Sequence, residues 1–177
     1  TLTGSTGSTS LSGSITGAEN FAITGGYWNL SGSVTGITNL SLTGGTLAMN
    51  GYMDAEVVKV ESGATLGGTS TLMSLINYGT IAPGNSIGTL HITNNFTNIA
   101  GSKLDIQIND AGESDKIAVG GVANLQGGTV NVLASSGSYT DGKTYTFLTA
   151  GTVDGTFAGV TDNLAFFNAL LIYGADY

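Results

Sequence analysis

The residues able to do chemistry are few. Gly84-Asn85-Ser86-Ile87-Gly88 has the form G-x-S-x-G, and the only histidine, His91, lies five positions after Ser86. In a serine hydrolase such an elbow sits between a strand and a helix, and the acid and then the histidine follow the nucleophile. Here Pro83 precedes the pattern, the alternating stretch Thr89-Leu90-His91-Ile92-Thr93 follows it, and no later histidine exists. A Gly-rich chain produces this pattern readily by chance, so we read it as a tight Pro-Gly turn between strands.

Four oxygen-bearing residues, Asn109, Asp110, Glu113 and Asp115, crowd one turn. They match neither the D-x-[DN]-x-[DN]-G loop nor a nonapeptide calcium repeat, and read as a solvated acidic turn. A carboxylate pair for glycoside cleavage would have to come from Glu19, Asp54, Glu56 and Glu61, with Lys59 the only basic neighbour. Tyr27, Trp28 and Tyr52 would form a sugar platform if exposed, but Trp28 shares a spacing with apolar residues and reads as core. The triplets beginning at Asn29, Asn39 and Asn95 fit the N-x-[ST] pattern and read as turn chemistry. The expectation is a chain with no catalytic, cofactor or metal site, and no enzyme.

These residues must be positioned by β-structure. The chain of 177 residues has 29 Gly, one Pro, no Cys and no Arg, yet 41% of it is hydrophobic and only 9% charged. A disordered chain would be poorer in apolar residues and richer in charge. Gly and β-branched residues interrupt every stretch that would otherwise be helical. The net charge of −8 without arginine argues against nucleic acid and anionic membranes as partners. No apolar run approaches the roughly 18 residues of a membrane span. No signal peptide is visible and Thr1 falls mid-pattern, which reads as a piece of a longer precursor.

A repeat organises the first third. Phe21-Ala22-Ile23-Thr24-Gly25-Gly26 matches Leu40-Ser41-Leu42-Thr43-Gly44-Gly45 nineteen positions later, and the stretches from Leu11 and Leu30 match at the same spacing. Trp28, Leu47 and Leu66 continue one column and Tyr27, Thr46 and Thr65 another. Val58-Lys59-Val60 fits with a one-residue slip, and Ile117-Ala118-Val119-Gly120-Gly121 reads as a later copy. Such a unit is too short for a propeller blade but fits one rung of a parallel β-helix, with alternate residues pointing inward. Ile23 over Leu42, and Trp28 over Leu47 over Leu66, should build a narrow core. From Gly101 the texture changes. Leu104, Ile106 and Ile108 alternate cleanly, and Tyr145, Phe147, Phe157, Phe166 and Tyr173 crowd the last third as the core of a cap.

Gly79-Thr80-Ile81-Ala82-Pro83-Gly84-Asn85-Ser86-Ile87-Gly88-Thr89-Leu90 resembles the C-terminal end of the β-helical passengers of bacterial autotransporters. The resemblance continues through Gly101-Ser102-Lys103-Leu104, Ser114-Asp115-Lys116-Ile117, Leu125-Gln126-Gly127-Gly128-Thr129-Val130, Tyr145-Thr146-Phe147-Leu148-Thr149-Ala150, Gly155-Thr156-Phe157 and Asn163-Leu164-Ala165-Phe166. It marks Gly79, Pro83, Gly84, Ser86 and Gly88 as a family-motif turn. It implies that the parallel β-helix is right-handed; with the change of texture at Gly101, the division expected is stalk rungs over residues 1–100 and the last rungs and cap over 101–177. It also implies an autochaperone role, in which a segment that folds first templates the rest. The partners implied are the chain's own N-terminal passenger and a C-terminal β-barrel, at the cell surface and attached to the outer membrane in the precursor. Adhesion or self-association through a Ser/Thr-lined face, to another cell or a host ligand, is the alternative. A polysaccharide-active enzyme is the remote one.

Overall fold

The computed structural model describes residues 8–174. Over them the chain forms strands of two to six residues and no helix. Short runs of alternating apolar and Ser/Thr/Asn residues favour half-buried strands, and the glycines between them end each run.

The strands wrap one core as three faces. The first is an eight-stranded sheet running from Ser8–Leu11 through Tyr27–Leu30, Gly45–Met49, Ala64–Gly68, Thr80–Pro83, Lys103–Ile108 and Thr129–Ala134 to Gly159–Asp162. The second has seven strands, from Asn20–Ile23 to Thr152–Thr156. The third is split into a three-stranded part ending at Tyr52–Met53 and a four-stranded part beginning at Thr71–Leu72. The chain visits the third, second and first faces in turn, and each strand pairs in parallel with the equivalent strand one rung away. This is a parallel β-helix. A single rung has nothing of its own to pack against, so stability comes from stacking.

The expected columns are present. Ile23 stands against Leu42 and Leu42 against Val60, and Trp28, Leu47 and Leu66 are stacked in register. All are buried, and each such aliphatic side chain stabilises by about 1.5–3 kcal/mol relative to exposure. The column from Trp28 continues through Ile81, Leu104 and Val130 to Val160. Those residue numbers give steps of 19, 19, 15, 23, 26 and 30 residues. Thr9 to Trp28 is also nineteen, so on this face the step is constant only as far as Leu66. This is why Ile117–Val119 is not a later copy of the Ile23 column: it belongs to the third face, paired with Leu90–Ile92. Pairing on the first face crosses residues 100 and 101 directly, from Thr80–Pro83 onto Lys103–Ile108.

At the corner between the second and first faces, Gly26 and Gly45 both have positive φ. A Cβ on Gly45 would also collide with the Gly26 carbonyl stacked beneath it, so glycine is required there twice over. Elsewhere the core becomes polar: Asn77 and Asn98 are fully buried and stacked in register, continuing the column of Ile23, Leu42 and Val60. Asn77 Nδ2 donates to Asn98 Oδ1 at 2.9 Å and Asn98 Nδ2 donates to the Gly127 carbonyl at 2.8 Å. Asn77 Oδ1 accepts the Gly79 N–H. The ladder thus satisfies backbone groups at the corner it lines, as a buried amide must.

The C-terminal cap differs from expectation at two residues, Phe166 and Tyr173, which are exposed rather than core. Phe157 is buried, and its ring centroid lies 6.0 Å from that of half-buried Phe147. Tyr145 is half-buried and donates its hydroxyl to the Asn109 carbonyl, while the hydroxyl of half-exposed Tyr173 accepts the Phe157 N–H. Phe166, in contrast, is 93% exposed. The Asp162 carboxylate accepts N–H bonds from Leu164 and Ala169, closing a loop with Phe166 on its outer side. No described strand stacks over that loop. Beyond it, Leu171 packs on the core while Leu170 and Ile172 are exposed.

Candidate functional site

The residues marked as the family-motif turn form an arch over the first face. Gly79 passes so close to the Glu61 and Ala64 carbonyls that a Cβ would strike both. Pro83 is buried at the end of its strand, where its missing N–H costs no ladder bond. Gly84, at φ 80°, exchanges backbone hydrogen bonds with Gly68, at 2.9 and 3.2 Å, as an isolated antiparallel bridge. The chain then bends through Asn85, Ser86 and Ile87. Asn85 Nδ2 donates to Asn50 Oδ1, and Asn50 Nδ2 to Asn29 Oδ1, so three amides reach from the arch across the Ala64–Gly68 rung to the Tyr27–Leu30 rung.

The far foot of the arch is held by Asp115. Its carboxylate is entirely buried, with Oδ1 accepting the Gly88 N–H at 2.9 Å and Oδ2 the Gln107 N–H at 2.8 Å. Lys116 N–H in turn donates to the Gly88 carbonyl. Burial pushes the Asp115 carboxyl up to about 6, against the downward pull of its bonds from Gln107 and Gly88.

Beside the arch lies a groove of about 430 Å³ on the outer side of the first face. Its floor is Ala48, Gly67 and Ala82, which share one outward column with Asn29. Tyr27, Thr46 and Thr65 form the flank, and Asn85 and Gln107 close the arch side. Every lining side chain is uncharged. Tyr27 is 43% exposed. On the other side of the arch, a second depression of about 340 Å³ runs between Ser86, Ile87 and the strands of Ile108 and Leu133, with Gln107 common to both.

The remaining candidates are placed apart. Ser86 lies exposed on the arch, whereas His91 lies exposed on the third face, paired with Thr71 and Ala118, and no hydrogen bond joins the two. No helix follows Ser86 among the described residues. Asn109 Oδ1 accepts the N–H groups of Gly112 and Glu113, so this residue folds its own turn. Asp110 receives Ser138 N–H, and Asp115 points inward. Among the described residues no three His, Cys, Asp or Glu side chains converge to hold a metal ion. Glu61 pairs with Lys59 at 2.8 Å, and Asp54 accepts the Gly36 N–H, while Glu19 and Glu56 are exposed. The three aromatics form no platform: Trp28 is buried with its indole N–H on the Gly25 carbonyl, and exposed Tyr52 sits on the third face. Asn39 and Asn95 serve as a ladder donor to Asn20 and an acceptor for Val122 N–H. Sequence reasoning missed the burial of Asp115 and the Asn77–Asn98 ladder.

No family model matches the chain. Over 88 residues, 49% of its length, the chain is 41% identical to the extracellular serine protease of Serratia marcescens. The matched stretch is 8% of that relative, so the chain spans a small part of it. The expectation of no enzymatic role is overturned by this likeness, because a stretch similar to this one belongs to a protein named as an enzyme. Residue types within one stretch do not decide the chemistry of a protein of which that stretch is a small part.

Proposed function

We propose that the chain is a passenger segment of an autotransporter-type protein of the bacterial surface, in which its β-helix carries the passenger and templates its folding. In this reading its partners are the passenger N-terminal to it and a C-terminal barrel that attaches the precursor to the outer membrane. The protein that carries it acts as an extracellular serine protease. Support for the first part comes from the motif turn and the strands around it, and for the second from the likeness to the Serratia protease.

The observation that carries the templating role is the ladder between Lys103–Ile108 and Thr129–Ala134, paired over all six residues. The first strand pairs of the second and third faces match over four and three residues. A solenoid grows by adding rungs to a formed end, so the longest ladder is the natural nucleus. Hydrogen exchange on the intact chain tests this: amides of Ile106 and Val132 should outlast those of Ile23 and Leu42, and the reverse order removes the basis for templating. The protease part is tested on the secreted full-length protein. Casein hydrolysis blocked by a serine-reactive phosphonate supports it, and neither hydrolysis nor labelling argues against it.

A further inference from the structure

We infer that the groove on the outside of the first face binds a neutral oligosaccharide. The inference is independent of the passenger reading, since it rests on the lining of the groove alone.

The groove joins one exposed aromatic ring, that of Tyr27, to a set of neutral side chains that both donate and accept: Asn29, Thr46, Thr65, Asn85 and Gln107. Amides offer two donors and an acceptor, and hydroxyls offer both roles, which matches the hydroxyls of a sugar. The amide chain across the rungs leaves Asn29 Nδ2 and Asn85 Oδ1 without a partner among the described residues, one donor and one acceptor at the groove. The face of Tyr27 suits the C–H face of a pyranose, an apolar surface edged by polar groups.

Other ligand classes fit less well. No cation lines the groove, and Lys103, next along the flank column after Thr80, is tied to Asp105 at 3.1 Å, so an anionic chain has nothing to pair with. The strands beneath are bonded on both sides, so a peptide finds no edge to extend. The Ala/Gly floor offers no pocket for an apolar side chain. It crosses three rungs and ends at Asn29 on a fourth, a run of about 14 Å at roughly 4.8 Å per rung. That length suits several sugar rings.

The test is titration of the intact chain with cellohexaose, maltohexaose and chitohexaose, and with hexagalacturonate as the anionic control, followed by amide chemical shifts. At least one neutral hexasaccharide should bind with a Kd of about 1 mM or tighter. Its shifts should map to Thr46, Thr65 and Ala82. Tyr27→Ala should weaken binding by about tenfold or more, a loss of ~1.4 kcal/mol. Asn85→Ala should weaken it as well, and Tyr52→Ala, on the third face, should leave it unchanged. Circular dichroism of each variant confirms the fold, and Thr65→Arg, which fills the groove from an outward position, gives a second route should Tyr27→Ala unfold. The inference is overturned if no neutral hexasaccharide binds at about 10 mM, if shifts map to another face, if hexagalacturonate binds more tightly, or if neither Tyr27→Ala nor Thr65→Arg weakens binding.

Discussion

Asp115 and Gly88 meet through one hydrogen bond, from the Gly88 N–H to a carboxylate oxygen that no solvent reaches. Glycine suits that place because a Cβ on Gly88 would press on Gly84 at the other foot of the arch and on the Thr69 side chain. The second oxygen of Asp115 holds Gln107, a residue that lines both depressions. One buried acid thus ties the arch to the ladder of Lys103–Ile108, with no ion pair to a cation among the described residues.

That arrangement gives a pH dependence of known sign. An unfolded aspartate titrates near ~3.9, whereas Asp115 is raised to about 6 in the fold. The fold therefore prefers the protonated acid. Its stabilising contribution is complete below ~3.9 and is lost as pH rises through about 6, in total about 3 kcal/mol. Denaturant midpoints should fall between about pH 4 and 6, and Asp115→Asn should flatten that slope. An identical slope in the variant would assign the titration to another group.

Leu42→Asp should cost far more than Thr43→Asp. Leu42 is fully buried between Ile23 and Val60, and a carboxylate there has no partner, a loss of about 4 kcal/mol or more. Thr43 is exposed, so its replacement should stay within about 0.5–1 kcal/mol. Thermal midpoints of the two variants decide the matter, and equal values would contradict the register.

Asn77→Ala should destabilise by about 2–3 kcal/mol, because it strands the buried Gly79 N–H and the side-chain Oδ1 of Asn98 together. The exposed equivalent, Asn39→Ala, breaks only its bond to Asn20 and should cost about 0.5 kcal/mol. Urea titrations of both variants against the parent measure the difference.

Ser86→Ala and His91→Ala should leave any proteolysis by the secreted full-length protein unchanged, because the two residues sit on different faces. Stoichiometric phosphonate labelling of Ser86 would refute this.

The architecture was legible where rungs repeat at constant length. Ile23 with Leu42, and Trp28 with Leu47 and Leu66, followed from a spacing of nineteen, and even the slip at Val58 was visible. Past Leu66 the step changes with every rung, so no period could place Ile117, which went to the wrong column. Phe166 has the size of a core residue, but burial needs a neighbour stacked above it. Asp115 looked like one more solvated acid of its turn. Nothing in residue type distinguishes an acid that turns inward to two N–H groups from one that faces water. The neutral groove was hidden for a related reason: its lining comes from strands up to 80 positions apart, from Tyr27 to Gln107.

The drift in rung length has a consequence for how such a chain changes over generations. Because each strand takes its register from the strand beside it, extra residues collect at corners, as between Ala134 and Leu148, and leave the columns above and below untouched. A duplicated turn of any of the observed lengths would present the same two stacking surfaces as the original. The molecule can therefore be lengthened, shortened or fitted with a new surface loop by a single genetic event, without simultaneous repair elsewhere in its interior.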